Sequence, residues 1–174
     1  MEAIRNEMYD IIKNTGAAYN LNDFRLWRVV LAPAHWSQCT LGAELKWRGV
    51  KFKQGNIQNI PQVSGVYTFV VKPGIANHPS CSYLLYVGKA EKQVLRARFK
   101  QYFKERQKGD NSRRPHITEM LKKWEGYLWF YYAKVPQQMK TKDVEDQLLA
   151  AYLPPSNRTF PCSVRRRVSK LFAQ

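Results

Sequence analysis

The side chains best suited to chemistry in this chain are one carboxylate, three phenols and a surplus of cations. The carboxylate is Glu145, in the segment Thr141-Lys-Asp-Val-Glu145-Asp-Gln-Leu-Leu-Ala-Ala-Tyr152. On a helical wheel of about 100° per residue, Val144, Leu148, Ala151 and Tyr152 share one face, and Glu145 falls inside that arc between Tyr152 and Leu149. A carboxylate on an apolar face is costly unless something pairs with it, and a cation in a cleft is one candidate. The phenols are Tyr67, Tyr86 and Tyr102, with Lys89 and Arg98 between the last two. Taken singly, each residue has a plainer reading. Tyr67 and Tyr86 suit half-buried strand aromatics, Arg98 a solvated helix residue and Tyr102 a core ring. Glu145 suits a network with Lys or Arg, and Asn157, which follows Pro154 and Pro155, suits a turn.

Bulk composition narrows the partners. The 174 residues hold 29 Lys+Arg against 13 Asp+Glu, a formal net charge of +16. That excess opposes compaction by self-repulsion unless a polyanion is bound, and nucleic acid is the leading polyanion. The basic residues are spread along the chain among aromatics rather than gathered on one amphipathic helix, which favours nucleic acid over a membrane surface. With 44% hydrophobic residues, a packed core is expected. Cys39, Cys81 and Cys162 are odd in number and far apart, which argues for a reducing compartment and against a disulfide framework. Without a secretory segment or an apolar run of membrane-spanning length, a cytoplasmic protein is expected. His35 and Cys39 have metal-like spacing but lack a second ligand pair, so zinc is not expected.

The elements that must position these groups can be read from periodicity. Ala3 to Asn14 reads as a short helix, and Leu21 to Leu31 suits helix or strand equally. Trp47 to Phe52 looks like a short strand. Gly65–Val71 and Tyr83–Gly88 are β-branched and aromatic, and pair as a hairpin across a loop rich in Pro and Gly. Val94 to Gln107 is helical, with Leu95, Phe99, Tyr102 and Phe103 on one face; His116 to Lys123 suits a short helix. Tyr127 to Ala133 is a third strand, followed by the helix carrying Glu145. The sum is a small α/β or α+β unit, a three-stranded antiparallel sheet flanked by helices. It spans residues 61–160, after an appendage at 1–60 and before a basic tail at 161–174.

In that order, five short motifs resemble those of the GIY-YIG nucleases. They are Gly65-Val-Tyr67; Tyr86-Val-Gly88; Gly88-Lys-Ala90; Leu95-x-x-Arg98-x-x-x-Tyr102-Phe103; and Glu145-x-x-Leu-Leu-x-x-Tyr-x-Pro154-x-x-Asn157. Each is weak alone, and their order on the expected strand, strand, helix and helix is what gives them weight. The resemblance implies a metal-dependent endonuclease acting on DNA. Glu145 would hold one divalent ion, magnesium or else manganese, with water and phosphate oxygens completing its shell. Arg98 would contact the scissile phosphate. Tyr67 or Tyr86 would position or deprotonate the attacking water, Lys89 would lower a phenol pKa, and Tyr102 would bond the phosphate or the water. Gly65, Gly88 and Asn157 would support the site.

The expected DNA-facing cations are Arg96, Lys100, Lys104, Arg113, Arg114, Lys122, Lys123, Arg165, Arg166 and Arg167; His116 is read mainly as a solvated loop residue. A single-metal site implies one strand cut per active site, so double-strand cleavage would need a dimer or two sequential events. The chain's small size suits a restriction or phage-defence enzyme. A silent nucleic-acid-binding module, or a repair, RNA-directed or toxin nuclease, is the alternative.

Overall fold

The computed structural model describes residues 29–75, 78 and 81–172. The helix expected at 3–14 and most of the segment 21–31 lie outside the described residues. In chain order the elements are α1 (Pro33–Trp36), β1 (Arg48–Lys51), a 3-10 turn (Gln54–Asn59), β2 (Gly65–Val71), β3 (Tyr83–Ala90), α2 (Leu95–Lys108), α3 (Pro115–Lys123), β4 (Leu128–Lys134), α4 (Thr141–Tyr152) and α5 (Cys162–Phe172). Among the described residues, no helix is long and apolar enough to cross a membrane.

The fold is α+β, with a four-stranded antiparallel sheet in the order β1-β4-β2-β3. The three-strand expectation is therefore corrected: β1, from the segment read as an appendage, pairs with β4 from Arg48↔Tyr132 to Lys51↔Trp129. Phe52, just beyond β1, enters the core and stacks on Phe103 with ring centres 4.3 Å apart.

Strand alternation sends side chains to two separate cores. Tyr67, Phe69, Val71, Phe130 and Tyr132 face α2 and α3, where Leu95, Phe99, Tyr102, Ile117, Met120 and Leu121 meet them. Val66, Val87 and Ala133 face the other way, toward Val144, Leu148 and Leu149 of α4 and Val164 and Val168 of α5. Residues 162–172, read as a basic tail, thus form a helix seated against the sheet's second core. Tyr152, placed on the inward face of α4 by the helical wheel, is 46% exposed. It is the last residue of the helix, and Leu153 behind it turns left-handed (φ 44°) and takes the buried place.

Two glycines are required by close approach. A Cβ at Gly65 would lie 2.2 Å from the Ala133 carbonyl oxygen, which is backbone and cannot rotate away. A Cβ at Gly88 would lie 2.6 Å from the Tyr67 ring. Overpacking of this kind costs about 1–3 kcal/mol, more where backbone must move. Gly65→Ala is therefore expected to lower the thermal midpoint by several degrees, about 2 °C or more for each kcal/mol lost on the scaling for a chain of this size. An unchanged melting curve would contradict the contact.

Candidate active site

Three phenols converge beneath the α2 side of β2 and β3. Tyr67 on β2 and Tyr102 on α2 share a hydrogen bond of 2.8 Å between their hydroxyls, in a setting where both residues are 1% exposed. Tyr86 on β3 lies beside them, its ring centre 6.3 Å from that of Tyr67 and 6.4 Å from that of Tyr102. Strand register explains the arrangement. Tyr67 pairs with Gly88 and Phe69 with Tyr86, so the two tyrosines are diagonal neighbours on one face, and the bare Gly88 leaves room for the Tyr67 ring. Tyr86 is the only one of the three that is not fully buried.

Burial, not a neighbouring cation, dominates the titration of these phenols. Loss of solvent pushes Tyr67, Tyr86 and Tyr102 well above the ordinary tyrosine value, and mutual repulsion within the cluster adds to it. Arg98 opposes this at Tyr67, and Arg114 at Tyr86 and Tyr102. The expected lowering by Lys89 is not found. Lys89 alternates to the opposite face of β3 from Gly88 and sets its ammonium 3.3 Å from the Glu145 carboxylate and 3.6 Å from Glu91.

Glu145 therefore has a partner from the chain itself. Its side chain is 18% exposed. Burial raises its pKa above the ordinary carboxylate value, and Lys89 pulls it back only in part. Its charge still reaches across the sheet to act on Tyr67 and Tyr86. Among the described residues, no group of three or more His, Cys, Asp or Glu side chains is placed to hold a metal. Asp146, the adjacent acid, pairs with Lys142. The donor set at Glu145 is thus one carboxylate. That fits a hard divalent ion only if phosphate oxygens and water supply the other positions.

Arg98 projects from the Tyr102 flank of α2. Its Nη1 donates to Gln101 Oε1 at 3.2 Å, and its Nε is buried with no hydrogen-bond partner among the described residues. Arg96, two residues earlier, points elsewhere: Nε donates to Ile60 O at 2.7 Å and Nη2 to Gln58 O at 3.2 Å, so it clamps the 3-10 turn. Asn157 grips the free edge of β3, accepting from the Val87 N–H at 2.9 Å and donating to the Val87 carbonyl at 2.8 Å. This secures the loop after α4.

The remaining expected cations are divided. Lys100 and Lys104 are exposed on the flank of α2 away from Arg98; Arg113 and Lys122 are exposed around α3, and Lys123 is partly covered there. Arg165 donates to the Phe160 carbonyl at 3.2 Å and Arg166 is exposed on α5, while the side chain of Arg167 lies outside the described residues. Arg114 instead joins the tyrosines, its guanidinium 5.6 Å from the centre of the Tyr102 ring. It is held there by Glu105, which is 6% exposed. Sequence reading overlooked Glu105. Its one signal was position: three residues after Tyr102 and seven after Arg98, on their flank of α2.

The chain matches no protein-family model, no curated protein and no solved structure. The functional reading therefore rests on the site itself.

Two outcomes follow from the titration pattern. Lys89→Met is expected to raise the Glu145 pKa further, because the main charge holding it down is removed; carbon-13 NMR of the glutamate carboxyls reads this directly. In a spectrophotometric titration, Tyr67, Tyr86 and Tyr102 are expected to ionise last, at pH well above the ordinary tyrosine range, because burial opposes their charged forms. Ionisation of all tyrosines in one step, with the fold intact, would contradict the buried cluster.

Proposed function

We propose that the chain is a metal-dependent endonuclease of the GIY-YIG type acting on DNA. The observation that carries this reading is the cluster of Tyr67, Tyr86 and Tyr102 from β2, β3 and α2, with Arg98 one turn before Tyr102 on the same flank and the Glu145 charge acting on Tyr67 and Tyr86 from the other side of the sheet. Arg98 is central to it, because its buried Nε has no hydrogen-bond partner among the described residues. A guanidinium donor shut off from water is costly unless a ligand completes it, and a phosphate oxygen matches its geometry and charge.

The residues then divide the work. Arg98 binds and neutralises the phosphate to be cut. Tyr86, the phenol not fully buried, donates its proton in a hydrogen bond to the attacking water or a phosphate oxygen. A phenol held above its usual pKa is a donor at neutral pH and a poor base. Tyr67 and Tyr102 do not meet solvent and fix Tyr86 from behind. Glu145 would hold the divalent ion, which when bound would supply charge neutralisation at the phosphate and a more acidic water. Lys89 keeps Glu145 ionised until then. Since one carboxylate alone is a weak site, metal binding is expected to tighten with substrate.

A binding module without catalysis is the competing reading, and the Lys89–Glu145 ion pair favours it, since that pair already satisfies the carboxylate. Duplex DNA cleavage with magnesium separates the two. Glu145→Ala and Arg98→Ala are each expected to lower the rate by about 10²-fold or more, the scale for losing one transition-state contact. Tyr86→Phe is expected to cost more activity than an equally folded Tyr67→Phe. Full activity in both Glu145→Ala and Arg98→Ala would sink the mechanism; DNA binding without cleavage by the wild type would favour the module.

A further inference from the structure

The side chains around Glu105 form a second cationic centre that the scheme above does not use. Glu105 is a buried acid whose two oxygens are both engaged. Oε1 accepts from the Ser112 hydroxyl, and Oε2 accepts from Arg114 Nη2 at 3.1 Å and lies 3.5 Å from the Lys108 ammonium. Burial would raise its pKa, but these hydrogen bonds and charges outweigh it and hold the carboxyl below its ordinary value. Glu105 is therefore ionised and fully committed. Ser112 also accepts the Arg114 backbone N–H at 2.9 Å, so both main chain and side chain of Arg114 are held.

What Arg114 presents outward is different in character. A guanidinium carries five N–H donors, and among the described residues its only side-chain hydrogen bond is the one to Glu105. Its side chain is 36% exposed, and its charge acts on Tyr86, Tyr102 and His116. His116 sits two residues further on, in the first turn of α3, with its Nδ1 buried and without a hydrogen-bond partner among the described residues. Burial, followed by the charges of Arg158 and Arg114, depresses the His116 pKa, and Glu105 only partly compensates. Arg158 comes from a separate element, directly after Asn157, whose two bonds to Val87 set where it emerges. It is exposed. The charges of Arg114 and Arg158, from two segments, both act on the His116 ring, and Glu105, which holds Arg114 at 3.1 Å, is already saturated.

We propose that Arg114, His116 and Arg158 form a seat for a second phosphate of the nucleic-acid strand, beside the tyrosine cluster, with Glu105 as the residue that positions Arg114. The inference rests on the nuclease reading and deepens it: the strand is held at two phosphates, one at Arg98 and one here. Two guanidiniums and a ring N–H suit phosphate oxygens, and the Arg114 guanidinium over the Tyr102 ring joins the seat to the tyrosine cluster. The seat reads no base, so it contributes to affinity and register alike on every sequence.

The test is the salt dependence of binding to a fluorescent duplex, with metal chelated so that no cleavage occurs. Each lost phosphate contact is expected to reduce the slope of log K against log salt by about 0.9. Arg114→Gln and Arg158→Gln are each expected to show that loss. Lys51→Gln, an equal change in net charge on β1 at the opposite edge of the sheet, is expected to leave the slope unchanged. Arg158 makes no side-chain bond among the described residues, so its variant keeps the test independent of any folding defect in Arg114→Gln. A second arm follows the His116 ring by NMR. Duplex is expected to shift its resonances in the wild type and not in Arg114→Gln. If inorganic phosphate alone shifts them as strongly as duplex does, the seat is one for a free anion, and the strand assignment is overturned. Equal slope losses in Lys51→Gln and the arginine variants would reduce the seat to general surface charge and overturn it too. Wild-type cleavage with unchanged slopes in both arginine variants removes the seat but leaves the nuclease reading standing. Absence of nucleic-acid binding by the wild type removes both.

Discussion

Two phenol hydroxyls 2.8 Å apart, in a core that almost excludes water, set the distance between the sheet and α2. Neither Tyr67 nor Tyr102 can move without leaving a buried oxygen unpaired, at a cost of about 1–3 kcal/mol. The bond in turn requires the Tyr67 ring to lie against β3, which only a glycine at position 88 permits. From that contact much of the site's geometry follows. Tyr86 is placed diagonally to Tyr67, α2 is held with its Arg98–Glu105 flank toward the tyrosines, and Arg114 finds the Tyr102 ring beneath it. What looks like a pair of short sequence motifs is, physically, one packing unit joining two strands and a helix.

Charge is organised around that unit with the same economy. The chain is strongly cationic, yet its two most enclosed acids near the site, Glu145 and Glu105, are each matched to specific cations on opposite sides of the sheet. They differ in consequence. Glu105 gains enough hydrogen bonds to lie below its ordinary pKa, whereas Glu145 has too few to offset its burial and lies above it. The first behaves as a structural anchor. The second is an under-satisfied carboxylate, the kind of group that a functional site tolerates and a purely structural one avoids.

Much of this was legible in the chain. The alternation in Gly65–Val71, Tyr83–Gly88 and Tyr127–Ala133 marked β2, β3 and β4, and helical spacing marked α2, α3 and α4. Trp47 to Phe52 was readable as a strand, but not that it would pair with β4, since pairing across some eighty residues leaves no local trace. The run Arg165-Arg-Arg167 masked the Val164 and Val168 spacing that seats α5. The demand that Glu145 have a partner was correct and its identity was open. Lys89 was visible as a neighbour of the tyrosines in sequence, and strand alternation then carried it to the other face. Glu105 was hidden for a related reason: within Lys-Glu-Arg-Gln-Lys it reads as one acid in a solvated charge run, and only tertiary packing buries it.

Asn157 has an effect beyond the site. By taking both outward polar groups of Val87, while the Ser156 N–H donates to the Leu85 carbonyl at 2.9 Å, the loop after α4 covers the margin of β3 as another strand would. A bare strand margin invites pairing with a foreign chain. Here it is closed from within, and at the far margin β1 is only four residues long and flanked by Arg48 and Lys51. The sheet is thus terminated on both sides. Any self-association of this protein is directed to helical surfaces and away from continuous β-structure.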